Sequence, residues 1–246
     1  MNDRVKNVYN ELAHHYEHHV DQKSLYNTHY ERPAMTALFP PSLEGKAVFD
    51  AGCAAGWYTK ELALRGAVVT ASDLSPEMVA AAKRRVGDAA AIHQLDLEEP
   101  LPFENSSFDL IVSSLVLHYI SDWQNVFKEF HRVLKPGGGL LFSVHHPFMD
   151  LKLSPGEDYF LHELLLDEWK TDRGTFTVPF YRRPLTDIMN DTLTYFAIDE
   201  IKEPQPVPDF QKRDPARYEK LMTNPHFLIV KAKKSKGTSH AQNNPV

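Results

Sequence analysis

Three aspartates stand at equal intervals in this 246-residue chain: Asp50, Asp73 and Asp96, each 23 residues after the last. Each closes a short, mostly apolar run. If those runs are neighbouring parallel strands, the three carboxylates emerge at one carboxyl edge, where ligands of open α/β sheets bind. The first acid opens onto small residues, Ala51-Gly52-Cys53-Ala54-Ala55-Gly56. Small residues let backbone amides approach a ligand, and a helix N-terminus behind them adds partial positive charge. A dinucleotide loop would read Gly-x-Gly-x-x-Gly. Counted from Gly52, this chain offers Gly52, Ala54 and Trp57, so the third glycine fails. An acid ahead of the glycines suits a cationic ligand group better than a pyrophosphate. A second set of reactive side chains, His118, His145 and His146, follows the next two strands. Imidazole titrates near neutrality, which makes these three the candidates for a general base. Adjacent residues of an extended chain point to opposite sides, so at most one of His145 and His146 faces a common cavity.

The elements that must position these groups follow from periodicity. Strands are expected at 47–49, 67–73, 90–95, 108–113 and 140–144, with helices at 58–65, 76–86 and 122–134 between them. Ser75-Pro76-Glu77 is a helix start: a cap, proline at the first helical position and an acid in the first turn. Such alternation predicts an α/β fold, a Rossmann-like doubly wound sheet. Further strands at 192–201 and 226–232 bring it to about seven, mostly parallel with an antiparallel C-terminal strand. Residues 1–40 read as a helical cap segment and 41–246 as the main domain. Within it, 148–190 forms a lid after strand five, with a helical piece at 161–169, an extended piece at 176–181 and a helix from Leu185. Residues 233–246 read as a disordered tail.

Composition sets the outer limits. Net charge is −6 with a pI near 6.1, against the basic field of a nucleic-acid surface. One cysteine, Cys53, permits no intrachain disulfide and fits a reducing compartment. With no apolar leader at Met1-Asn2-Asp3-Arg4 and no apolar run of membrane-span length, a soluble cytoplasmic protein is expected. The i,i+4 pairs His14/His18 and His15/His19 lack a His-Glu-x-x-His pattern and read as a solvated helix face, so no metal is expected.

Asp50-x-Gly52-x-Ala54-x-Gly56, Asp73, Asp96 and the Leu134-Lys135-Pro136-Gly137-Gly138 bend together resemble the class I S-adenosylmethionine-dependent methyltransferases. The resemblance covers roughly residues 46–145 and is nearer the small-molecule branch. Ala54 stands where the family's middle glycine would be. The resemblance implies S-adenosylmethionine as cofactor and S-adenosylhomocysteine as product. It implies that Gly52, Cys53, Ala54 and Gly56 wrap the amino-acid part, with Asp50 in support. Asp73 would accept the ribose hydroxyls, Leu74 and Met78 would flank adenine, and Asp96 with Leu97 would meet its edge. Ser113, with Ser114, Leu115 and His118, would lie under the reactive methyl. Tyr16 and Tyr30, or Arg32, would close over the cofactor.

The lid is expected to set the acceptor. Phe148, Tyr159, Phe160, Trp169, Phe180 and Tyr181 offer an aromatic wall, and Arg182 and Arg183 a receptor for an anionic group. The same residues equally suit a lid core with solvated or paired arginines. The base-clamping Asn- or Asp-Pro-Pro-aromatic of nucleic-acid relatives is replaced by Ser113-Ser114-Leu115-Val116, so a small-molecule acceptor is favoured over nucleic acid. RNA or protein methylation, and non-catalytic cofactor binding, stay open as alternatives. Oligomeric state is not legible.

Overall fold

The computed structural model describes residues 2–156, 158–171 and 174–235. The chain opens with helix α1 (Asn2–His15), a π-helical turn at Tyr16–Val20, α2 (Asp21–Lys23), a second π-helical turn at Asn27–Glu31 and α3 (Arg32–Thr36). Then follow β1 (Ala47–Ala51), α4 (Trp57–Leu64), β2 (Val68–Asp73), α5 (Pro76–Val86), β3 (Ala90–Gln94), β4 (Phe108–Ser114), α6 (Trp123–Val133) and β5 (Leu134–His145). The C-terminal part holds α7 (Pro147–Leu151), β6 (Glu163–Thr171), β7 (Gly174–Arg182), α8 (Leu185–Tyr195), β8 (Phe196–Lys202), α9 (Pro208–Arg213), α10 (Pro215–Thr223) and β9 (Phe227–Lys234).

Seven strands form one sheet in the order β3-β2-β1-β4-β5-β9-β8. β9 runs antiparallel to both neighbours, and the other pairings are parallel. This is the doubly wound sheet that the alternation predicts. Its central strands are buried on both faces, so they read as continuous apolar runs such as Val48-Phe49 and Leu110-Ile111-Val112. One face packs α6 and α8 through Trp123, Phe127, Phe130, Phe142 and Phe196. The other packs α3 and α4 through Met35, Tyr58 and Leu62. The strand order reverses between β1 and β4, so the carboxyl ends of these strands flank a crevice.

Three expectations need correction, the first being the strand at 192–201, which starts only at Phe196 because Thr192–Tyr195 close α8. Residues 161–169 are not helical: Glu163–Thr171 is a strand, paired antiparallel with Gly174–Arg182 in a separate hairpin. Burial alternates along it, with Leu165 buried and Leu164 and Leu166 exposed, which is a period of two. At the C-terminus, Lys233 and Lys234 belong to β9, where Lys234 donates to the Leu134 carbonyl (2.7 Å). The rest of the expected tail, from residue 236, lies outside the described residues.

Candidate functional site

The loop after β1 needs its glycines. Gly52 and Gly56 take φ of 84° and 80°. A Cβ on Gly52 would lie 2.3 Å from the Val116 side chain, so no larger residue fits. Ala54 also lies in the left-handed region, at φ 45°, a conformation that strains a residue with a Cβ by roughly 1 kcal/mol. Its N–H donates to Asp73 Oδ2 (2.8 Å), and the Ser75 N–H donates to Asp73 Oδ1 (2.9 Å). Asp73 thus holds the loop and the start of α5 together. A carboxylate has about four acceptor positions, so both oxygens keep capacity for a ligand's hydroxyls.

Above this loop lies a cleft of about 1090 Å³. Gly52, Cys53, Ala54, Asp73, Leu74, Asp96, Leu97 and Tyr16 all line it. Asp50, Gly56, Met78, Ser113 and Tyr30 do not; they stand behind its wall. Asp50 is buried and accepts the Thr59 hydroxyl (2.6 Å). Gly56 precedes α4 with Ala82 close by, and Met78 packs with Leu12 and Ala13. The Ser113 hydroxyl donates to the Ala51 carbonyl (3.0 Å), and the Tyr30 hydroxyl accepts from the His226 N–H (3.3 Å). Burial pushes Asp50 up to about 7 and Asp73 up to about 6.

The amino-terminal segment completes the cleft with residues that the sequence reading passed over. Asn2 donates to Asp96 Oδ2 (2.7 Å), and Tyr9 donates to the Tyr119 hydroxyl (2.6 Å). Tyr9 and Tyr16 sit seven residues apart on one helix face, and that spacing was the available signal. Arg32 lines the cleft, is buried, stacks 4.2 Å over Trp57 and pairs with Asp21. Its Nε and Nη1 have no hydrogen-bond partner among the described residues. Unpartnered guanidinium donors, on a residue that lines a cleft, suit a ligand carboxylate once it displaces what covers them. Glu31 anchors the segment: fully buried, it accepts from Tyr58 (2.7 Å), Ser114 (2.8 Å) and Ser143 (2.6 Å).

A second cleft, of about 1330 Å³, adjoins the first. Tyr9, Tyr16, Asn27, Leu115 and Tyr119 line both. Leu115 holds φ 55°, fixed by its N–H bond to the Ser143 carbonyl (2.9 Å). Strain of this kind on a bulky residue persists where the surroundings over-determine it.

The three histidines separate here. His145 lines the second cleft, with Nδ1 3.4 Å from Asp150 Oδ1. His118 is buried, stacks on His145 at 4.0 Å and lines neither cleft; burial holds its pKa well below the usual histidine value. His146 accepts the Phe148 N–H on Nδ1 (3.1 Å) and meets Glu203 at Nε2 (2.7 Å), so it caps α7. His14/His18 and His15/His19 stack ring on ring. Among the described residues no group of three His, Cys, Asp or Glu side chains is placed to share an ion.

The expected acceptor wall is mostly corrected. Trp169 lines the second cleft. Phe180 is fully buried, edge-on to His145 at 4.8 Å. Arg182 is fully buried and bonds Glu163 (2.7 Å) and the Tyr159 and Asp158 carbonyls (2.8 Å each), so it braces the hairpin instead of receiving a ligand. Tyr159 accepts the Leu185 N–H (2.9 Å), and Tyr181 packs on His162; neither lines a cleft. Arg183 lies 4.1 Å over Trp123 and donates to the Ile120 carbonyl. Phe148 and Phe160 are exposed.

Comparison with known proteins agrees with this geometry. Residues 49–142 match the family model described as a methyltransferase domain. An uncharacterized protein of Haemophilus influenzae is 28% identical over 83% of this chain and 87% of its own length. The malonyl-[acyl-carrier protein] O-methyltransferase of Erwinia billingiae is 38% identical over 44% of this chain, a match that spans only 42% of that enzyme. The solved S-adenosylmethionine dependent methyltransferase of Mesorhizobium loti superposes with a TM-score of 0.68, covering 83% of this chain and 97% of that one at 27% identity. Fold, loop and kinship agree: residues 49–142 form a methyltransferase domain, and the chain around it is similar to the S-adenosylmethionine-dependent methyltransferases.

Proposed function

We propose that this enzyme transfers the methyl group of S-adenosylmethionine to a small-molecule acceptor, with the cofactor in the first cleft and the acceptor in the second. The observation that carries the reading is the wall shared by Tyr9, Tyr16, Asn27, Leu115 and Tyr119, across which a methyl group passes from one cleft to the other.

When bound, the cofactor supplies an already activated methyl group, so the protein's work is alignment and exclusion of water. Asp73 accepts the ribose hydroxyls on its remaining lone pairs, and Leu74 covers adenine. Asp96 takes the exocyclic amine, in the place where Asn2 now donates. Gly52 to Ala54 bring the backbone against the amino-acid part, and Arg32 receives its carboxylate through Nε and Nη1. Asp50 and Glu31 act from behind, by fixing α4 and the amino-terminal segment.

An acidic pI and the absence of an aromatic clamp after β4 favour a metabolite over nucleic acid. No described helix is long and apolar enough to cross a membrane. Cys53, buried in the loop, suits a reducing cytoplasm. Calorimetric titration of S-adenosylhomocysteine tests the cofactor site. Saturable binding that Asp73→Ala weakens at least about tenfold supports it. Absence of binding to the unmutated protein refutes it.

A further inference from the structure

The second cleft carries its own chemistry. Aromatic rings surround it: Tyr9, Tyr16, Tyr26, Tyr119, Trp169 and Phe227. Such walls suit a flat, conjugated molecule. Its ionic side chains are mostly committed already. Asp167 accepts the Trp169 indole N–H (2.8 Å), and Asp150, only 3% exposed, faces His145. Burial presses His226 down to about 3, so that ring stays neutral. No arginine lines this cleft among the described residues, and Lys170 is exposed. An anionic acceptor therefore finds no bidentate receptor, and of the two acids Asp150 is buried beside His145 while Asp167 is engaged by Trp169.

His145 is held for one task. Its ring lies between the stacked His118 ring (4.0 Å) and the edge-on Phe180 ring (4.8 Å). Asp150 Oδ1 is buried without a hydrogen-bond partner among the described residues, and it sits 3.4 Å from Nδ1. A carboxylate at Nδ1 fixes the proton there and leaves the lone pair on Nε2, the tautomer of a base. No side chain among the described residues hydrogen-bonds Nε2.

We propose that the acceptor is a neutral, planar hydroxylated molecule and that His145, steadied by Asp150, takes its hydroxyl proton during methyl transfer. This rests on the reading of the first cleft as the cofactor site. The acceptor's O–H bond breaks toward His145 Nε2, and an oxygen electron pair forms the new C–O bond. The methyl–sulfur bond breaks, its pair stays on sulfur, and the sulfonium becomes a neutral thioether. The proton leaves His145 for water, which restores the neutral ring. His145 is thus a catalytic residue, and Asp150 a positioning residue.

The test uses the full chain with methyl-labelled S-adenosylmethionine and matched probes: neutral phenols (catechol, 3,4-dihydroxybenzaldehyde, 2-naphthol), the anionic 3,4-dihydroxybenzoate and the cationic dopamine. Label should enter the neutral phenols, with kcat/KM at least about tenfold above the charged probes. His145→Gln should lower kcat by about 100-fold or more, the range of general-base catalysis, with cofactor binding unchanged. Asp150→Asn should lower kcat while KM and S-adenosylhomocysteine binding stay unchanged, because His145 loses the group that orients it; a merely structural role would not split kcat from KM. The other titratable groups facing His145 are His118 from the turn after β4 and His226 just before β9, both held neutral by burial. Label entering the charged probes preferentially overturns the proposal. So does an unlabelled neutral panel while S-adenosylhomocysteine binds, or a His145→Gln enzyme with unchanged kcat. Loss of cofactor binding in the unmutated protein strikes the first-cleft reading instead.

Discussion

Asp73 does two jobs whose electrostatics conflict. It accepts two backbone N–H groups, which favour the carboxylate, yet burial outweighs them and raises its pKa to about 6. Asp50 rises further, to about 7, with Asp73 adding to its burial. A cationic ligand reverses this, because a nearby positive charge favours the ionised acids. Binding therefore releases protons wherever the free protein holds them. Affinity for S-adenosylmethionine should climb as pH rises from about 5 to 8 and level off above, once Asp73 and Asp50 are ionised in the free protein. Calorimetry in buffers of different ionisation heat would show proton release at pH 6 and little at pH 8; a Kd independent of pH would contradict this. The spacing of Asp73 and Asp96 was legible in the sequence because strand-turn-helix units of similar length repeat. Arg32's role was only half legible. Its type was noticed, but its open donors depend on Asp21 and Trp57 and so on the folded arrangement.

At the scale of elements, the hairpin of β6 and β7 furnishes part of the second cleft and none of the first. Arg182 ties it together beneath Tyr159. Arg182→Ala leaves two carbonyls and the Glu163 carboxylate without their donor, which should lower stability by roughly 2–4 kcal/mol. Urea denaturation measures this, and the folded variant should bind S-adenosylhomocysteine normally while losing acceptor turnover. The hairpin is also where sequence reading failed. Leu164-Leu165-Leu166 suits helix or strand equally, and the decision lies in pairing with residues 174–182 across a turn. The core strands were legible because burial on both faces leaves unbroken apolar runs. α9 and α10 were missed beyond the proline-rich 203–208 stretch, since prolines there start helices as well as interrupt them.

The whole molecule is a sheet whose ligand edge is finished by the first 36 residues. Glu31 binds them to α4, β4 and β5 at once. Glu31→Ala should strip three buried hydroxyls of their acceptor and loosen the segment selectively. Hydrogen exchange should speed up across residues 2–36 and stay slow in β1, β4 and β5. Cofactor affinity should fall about tenfold or more as Arg32 and Tyr16 lose their places; uniform exchange changes across the sheet would argue against this division. Two of the segment's other fastenings reach very far along the chain: the Tyr30 hydroxyl to the His226 N–H, and the His29 carbonyl to the Val207 N–H (2.9 Å). The order of synthesis bears on these two. They can form only after residues 207 and 226 have been made, when β1 to β5 are already available to the segment's other contacts. A chain paused before residue 207 can assemble β1 to β5 and hold the segment through Glu31, Tyr9 and Asn2, but without these two late bonds. The ligand edge is fastened in stages, early from the sheet and late from residues 207–226.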